Sequence, residues 1–144
     1  AARDAGESIL LSEILRVYKD LRSDADWIVV EGCGGLLSPI GDEINSLSIA
    51  KALGLPVLLV AKSGLGTISH SLSAVRVMRA EGVEPLGVLL NEPTAEHTPD
   101  QSTNAEVISR FGAVRVFGVH PFGGGSQGLI NEVIVAAETA KNAV

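Results

Sequence analysis

The sequence holds a single cysteine, Cys33, so no internal disulfide can form. One thiol and no disulfide framework suit a reducing compartment, and a cytoplasmic location is expected. Aromatic residues make up only 3% of the chain, so the core must be built from Val, Leu, Ile and Ala. Positive charge is scarce as well: 11 Lys and Arg stand against 17 Asp and Glu, a formal charge of −6. That balance lacks the basic footprint of a nucleic-acid binder, and no nucleic-acid partner is expected. No apolar run approaches the ~18 residues of a membrane-spanning helix, so no membrane partner is expected either. Neither an apolar leader nor an initiator Met opens the sequence, whose one methionine is Met78. The reading frame is therefore expected to begin upstream of Ala1. Missing too is any G-x-x-x-x-G-K-[ST] loop, and with it the phosphate-cradling lysine of that motif.

What is present is a well-supplied core. Hydrophobic residues are 46% and charged residues 19%, which excludes disorder. The 144 residues fit a single α/β domain, 1–144, with no internal repeat and no low-complexity linker. Apolar runs alternate with amphipathic stretches. Leu11, Ile14, Tyr18 and Leu21 recur at helical spacing within a helix expected over 7–21. Trp27-Ile28-Val29-Val30 reads as a strand ending on Glu31, followed by the loop Gly32-Cys33-Gly34-Gly35. Further helices are expected over 46–53, 67–81, 102–111 and 129–142, with Gly54, Gly82 and Gly112 closing the first three. Further strands are expected at 56–61, 85–91 and 114–119. Strands alternating with helices imply right-handed crossovers, hence a parallel sheet with helices on both faces. Ligands in such folds bind at the carboxyl ends of the strands. Here those ends carry Glu31, Lys62, Asn91 and His120 beside glycine-rich loops, while the opposite ends are plain turns.

Each motif admits a functional and a structural reading. Glu31 is placed to hold Mg2+ beside phosphates, or is a turn acid after a strand. Gly32, Cys33 and Gly34 let backbone N–H groups approach a ligand, or simply make a tight turn. Gly64-Leu65-Gly66 opens a helix, where the N–H groups of Gly66, Thr67 and Ile68 form an anion site for a carboxylate or phosphate. The dinucleotide fingerprint G-x-G-x-x-G fails there, because its last position is Ser69. Gly124-Gly125-Ser126-Gln127-Gly128 fits the hydrolase elbow G-x-S-x-G, but no His follows Ser126, so a flexible loop is the better reading. His70, His97 and His120 show no metal-binding spacing; His120, at a strand end, faces a ligand most readily. No His or second Cys lies near Cys33 in sequence, so a small residue filling a tight loop is its expected role.

Two long strings carry a family resemblance. Residues 27–40, WIVVEGCGGLLSPI, are similar to the V-E-G-A-G-G-L-x-x-P segment of the dethiobiotin synthetases. Residues 54–70, GLPVLLVAKSGLGTISH, resemble that family's G-L-P-V-I-L-V-x-x-x-x-L-G-x-I-N-H. Asn91 matches a strand-ending Asn, and His120-Pro121-Phe122 a Pro-containing adenine loop; the resemblance runs over about 7–122 in the family's order. It implies a P-loop NTPase-like three-layer αβα fold lacking the N-terminal P-loop strand, and a chain that is the carboxyl-terminal part of a synthetase. The missing strand sits inside the family's sheet, so a gap or an exposed apolar strand edge is expected.

The family uses ATP and Mg2+ to close a ureido ring on 7,8-diaminopelargonate with CO2, in biotin synthesis. One amine captures CO2 as a carbamate, ATP phosphorylates it, and the second amine displaces phosphate. By resemblance, Glu31 binds Mg2+, and Gly32, Cys33 and Gly34 line the phosphates. Asn91, His120, Pro121 and Phe122 hold the adenine. Gly64, Leu65, Gly66, Thr67 and Ser69 receive the substrate carboxylate across a homodimer interface. The chain departs from the family at Cys33, usually Ala, and at Ser69, usually Asn, and its 123–125 glycines have no counterpart. Without the upstream lysines the chain alone is expected to be inactive. Two alternatives stay open from the residues: another P-loop amidoligase of the cobyrinate-amidating type, and a non-catalytic dimerisation or binding module.

Overall fold

The computed structural model describes residues 6–96 and 101–141; His97 and the last residue expected in the final helix lie outside them. The chain forms two compact units, one ending at Leu55 and the other beginning at Pro56.

The first unit holds α1 (Leu11–Arg22) and α2 (Ser46–Leu53). Leu11, Ile14 and Tyr18 are half-buried as their spacing predicts, whereas Leu21 is exposed. The α2 bounds agree with the sequence because both ends are chemically marked. Asn45 Oδ1 accepts from Ser48 N and Ser48 Oγ from Asn45 N, both at 2.9 Å, closing a capping box. Gly54 takes the left-handed conformation at the other end, φ 62°.

The second unit alternates β1 (Val57–Lys62), α3 (Thr67–Ala80), β2 (Pro85–Asn91), α4 (Gln101–Gly112), β3 (Val116–His120) and α5 (Gln127–Lys141). The three strands are parallel in the order β1-β2-β3. Side chains alternate between sheet faces. One face sends Leu59, Ala61, Val88 and Leu90 against Val75 of α3 and Ile108 of α4, the main core. The other is crossed by α5, whose Leu129 side chain reaches Gly118. Arg115 ties this layer together: it lies over the Phe117 ring and pairs with Glu132 at 2.9 Å. Helices on both faces of a parallel sheet are the expected three-layer arrangement.

Two expectations need correction. Trp27–Val30 lies outside any strand, and Val29 is 91% exposed. Its β-branched composition suits a strand, but among the described residues no ladder partner pairs with it. The sheet accordingly has three strands rather than four. Among the described residues β1 pairs with β2 alone, and its Val60 is 63% exposed. Second, Gly112 does not stop α4, which runs through it, and the left-handed position falls one residue later. Ala113 takes it, at φ 44°, with Val114 N bonding back to Ser109 O. Gly112 serves packing instead: a Cβ there would lie 3.0 Å from Val114 and 3.1 Å from Leu72.

Arg79 donates to the Gly112 and Ala113 carbonyls, at 2.6 and 3.0 Å, and so closes the end of α4. It also donates to Glu84, which holds that carboxyl below the usual carboxylate range and raises Arg79, with burial opposing both.

A left-handed alanine costs about 1–2 kcal/mol, and glycine gives back part of that through its looser unfolded state. Ala113→Gly is therefore expected to stabilise by about 0.5–1 kcal/mol, a rise of a few degrees in Tm. A thermal melt showing no rise would mean that Ala113 does not hold this conformation.

Candidate nucleotide and substrate site

Parallel register assembles one edge of the second unit. Lys62 is aligned with Asn91, and Asn91 with His120, so the three strands end in a single row. The backbone keeps this register one residue further. Ser63 N donates to Asn91 O at 2.7 Å, and Glu92 N to His120 O at 2.9 Å. At the centre of the row His120 Nδ1 meets Asn91 Oδ1 at 3.1 Å, both residues half-buried. Beyond β3, Gly124 N bonds Pro121 O at 3.0 Å, closing a turn that leaves Phe122 57% exposed. Gly123 takes the left-handed position in that turn, φ 65°. The 123–125 glycines thus shape the loop that displays Phe122.

The loop after β1 leads from the same edge into α3. Gly64 and Gly66 both have positive φ, 145° and 88°. Thr67 N–H is engaged, donating to Gly64 O at 3.1 Å, and its side chain is buried. Among the described residues no hydrogen bond engages the N–H groups of Gly66, Ile68 or Ser69. The open donors at this helix start are therefore Gly66, Ile68 and Ser69, not the Gly66, Thr67 and Ile68 read from the sequence. Ser69 and Leu65 are exposed, Leu65 at 98%.

Glu31, Gly32, Cys33 and Gly34 belong to the first unit and are all exposed. Gly32 lies against the first residue of α2: a Cβ on it would be 2.6 Å from Ser46 Oγ and 2.9 Å from Ser46 Cβ. Gly34 is left-handed, φ 74°, and Gly35 N donates to Ser38 Oγ at 2.8 Å. This pins the loop at both ends while no hydrogen bond engages the N–H groups of Gly32, Cys33 or Gly34 among the described residues. Three adjacent open donors suit phosphate oxygens.

Taken by itself, the first unit's loop offers donors suited to Mg2+ beside phosphate, and the second unit's strand-end row, taken by itself, offers groups suited to a purine base. Among the described residues no three His, Cys, Asp or Glu side chains gather as a metal cluster. Mg2+ does not require one, since it is commonly held by one or two carboxylates, phosphate oxygens and water. Glu31 offers such a carboxylate next to the open N–H groups. The Asn91 amide offers a donor and an acceptor side by side, the pattern that an adenine edge complements.

The sequence matches a family described as an AAA domain over residues 1–124. The chain belongs to that family. It is also similar to proteins named ATP-dependent dethiobiotin synthetase BioD. That of Anaeromyxobacter dehalogenans (strain 2CP-C) is 37% identical over 76% of this chain and 49% of its own length. That of Bacillus subtilis (strain 168) is 31% identical over 84% of this chain and 52% of its own. The Rhodococcus erythropolis protein is 36% identical over 88% of this chain and 57% of its own. The chain thus spans about half the length of the curated relatives it matches.

Lys62, already expected at a strand's carboxyl end, and Ser63 gain their neighbours here through register. The sequence placed them in the loop after a strand, but only the ladder aligns Lys62 with Asn91. Among the described residues no helix is long and apolar enough to cross a membrane.

Proposed function

We propose that this chain is the carboxyl-terminal part of an ATP- and Mg2+-dependent cyclo-ligase that forms dethiobiotin from 7,8-diaminopelargonate and CO2 in the cytoplasm. The observation that carries the reading is the row Lys62, Asn91, His120 at the carboxyl edge of the sheet. It brings a purine-complementary amide beside the start of α3, in a chain similar to named synthetases.

Asn91 reads the adenine, and the exposed Phe122 ring offers an apolar surface for the base. The open N–H groups of Gly32, Cys33 and Gly34 receive phosphate oxygens. Glu31 holds Mg2+, which supplies charge neutralisation around the transferring phosphoryl group. The N–H groups of Gly66, Ile68 and Ser69, at the positive end of the α3 dipole, fix the substrate carboxylate. Leu65 stands out from this loop where a second copy would cover it, consistent with a homodimer. In the reaction one amine adds to CO2, the carbamate oxygen takes the phosphoryl group, and the second amine closes the ring with release of phosphate. By the family resemblance, the phosphoryl charge would be balanced by the Lys of a phosphate loop that this sequence does not contain and by a further catalytic Lys.

The test is mass-spectrometric detection of dethiobiotin from diaminopelargonate, bicarbonate and Mg-ATP, using the complete protein that carries this chain. Dethiobiotin formed in step with ADP is expected. No dethiobiotin in that mixture, but ADP release with an amidated product once a polycarboxylic acid and glutamine replace the diamine and bicarbonate, would establish the amidoligase alternative instead.

A further inference from the structure

The lysines and arginines of the second unit are unevenly placed. Parallel strands require α3 and α4 to run back, so their last turns lie at the amino end of the sheet. α5 runs back as well, since its Leu129 meets Gly118 and its Glu132, further along, meets Arg115. Arg79, Arg110 and Lys141 occupy the three last turns, where a cation suits the helix dipole. Arg76 lies in the second half of α3, and Arg115 stands just before β3. Lys62 is the exception. It closes β1 at the carboxyl edge, and no other Lys or Arg of this unit stands there.

Lys62 is exposed, and among the described residues no hydrogen bond or ion pair engages its ammonium. α3, α4 and α5 all begin at this edge, so the positive ends of three helix dipoles already face it. A lysine added to them is repelled until an anion joins it.

Strand alternation decides which anion that is. Leu59 and Ala61 pack on the core under α3 and α4, so Lys62 faces the other side of the sheet. Val88 and Leu90 belong to the same core, so Asn91 faces that other side too. Lys62 and Asn91 are aligned partners on neighbouring strands, which run about 4.8 Å apart. Lys62 thus lies on the sheet face away from α3, whose start is proposed for the substrate carboxylate. It shares its face with the amide proposed for the base. The anion nearest the base of a nucleotide is the phosphate on its 5′-carbon. We infer that Lys62 binds this 5′-phosphate and so anchors the nucleotide next to its base. The inference rests on Asn91 reading the base, as proposed above, and it gives the second unit a phosphate-binding cation of its own.

The test compares AMP with adenosine, which differ by that phosphate alone, in titrations of the complete protein followed by NMR. Lys62→Met keeps most of the side chain's length and removes its charge. It is expected to narrow the AMP-to-adenosine affinity ratio about tenfold, the scale of one hydrogen bond between charged groups. Adenosine affinity itself should hardly change. Lys62→Arg, which retains the charge, is expected to keep most of the ratio. Arg76→Met removes the same charge from an exposed position away from this edge, and is expected to leave the ratio as it is. An unchanged ratio in Lys62→Met, or an equal narrowing in Arg76→Met, overturns the inference. Asn91→Ala separates it from the reading beneath it. If that change leaves adenosine affinity intact, base recognition by Asn91 fails and the inference falls with it. If it weakens adenosine while Lys62→Met leaves the ratio unchanged, only the role of Lys62 is lost.

Discussion

Glu31→Gln is expected to cut turnover of the complete protein roughly a hundredfold, the scale of losing one electrostatic contact to a charged transition state. Glutamine keeps the shape of the side chain and removes its charge. Glu31 is exposed, so the substitution disturbs no packing and the thermal melt should not move. The loss should fall on the step where charge builds on the transferring phosphoryl group. Diaminopelargonate affinity should stay within about twofold, because no carboxylate of the metal site is asked to bind it. The measurement is steady-state ADP release against varied ATP, Mg2+ and diamine. Unchanged turnover would remove Glu31 from the metal site and leave it a turn acid.

Gly32→Ala should weaken nucleotide binding about tenfold or more, and Ser46→Gly in the same chain should restore it. A Cβ 2.6 Å from Ser46 Oγ and 2.9 Å from its Cβ has no room. Overpacking of this kind costs about 1–3 kcal/mol, and here the strain falls on the loop that presents the open N–H groups. Rotating the Ser46 hydroxyl away relieves one contact but not the Cβ contact. Removing the whole Ser46 side chain relieves both, at a cost of about 1 kcal/mol for glycine in a helix. Asn45 and Ser48 still close the capping box in that background. ADP affinity of the single and double variants decides the matter. A double variant as weak as the single one would show that the loop fails for a reason other than this contact.

Sequence reading succeeded where local chemistry marks an element. Asn45, Ser48 and Gly54 label both ends of α2, and β2 is a continuous apolar run between Pro85 and Asn91. It failed where an element depends on a neighbour. Trp27–Val30 has the composition of a strand, but strand formation needs a lateral partner that composition does not report. Gly112 read as the residue that stops α4, yet the helix runs through it, because the space it leaves beside Leu72 and Val114 is a tertiary fact. The site divides in the same way. Asn91 and His120 were both legible as strand-end polar residues, yet their hydrogen bond depends on register across two strands. The open donors at α3 were misplaced by one because the Thr67 bond to Gly64 depends on the positive φ of both loop glycines.

The strands of the second unit stand side by side in the order in which they occur along the chain. Each new strand therefore docks on the one made just before it, and each crossover closes over a short span. Loop-closure entropy stays small at every step, which favours rapid folding for a parallel sheet. On a ribosome, β1 with α3 would be available as a template when β2 emerges, and β2 when β3 emerges. The row of Lys62, Asn91 and His120 would thus be completed one strand at a time, in the order of synthesis, with His120 arriving last beside an Asn91 already in place.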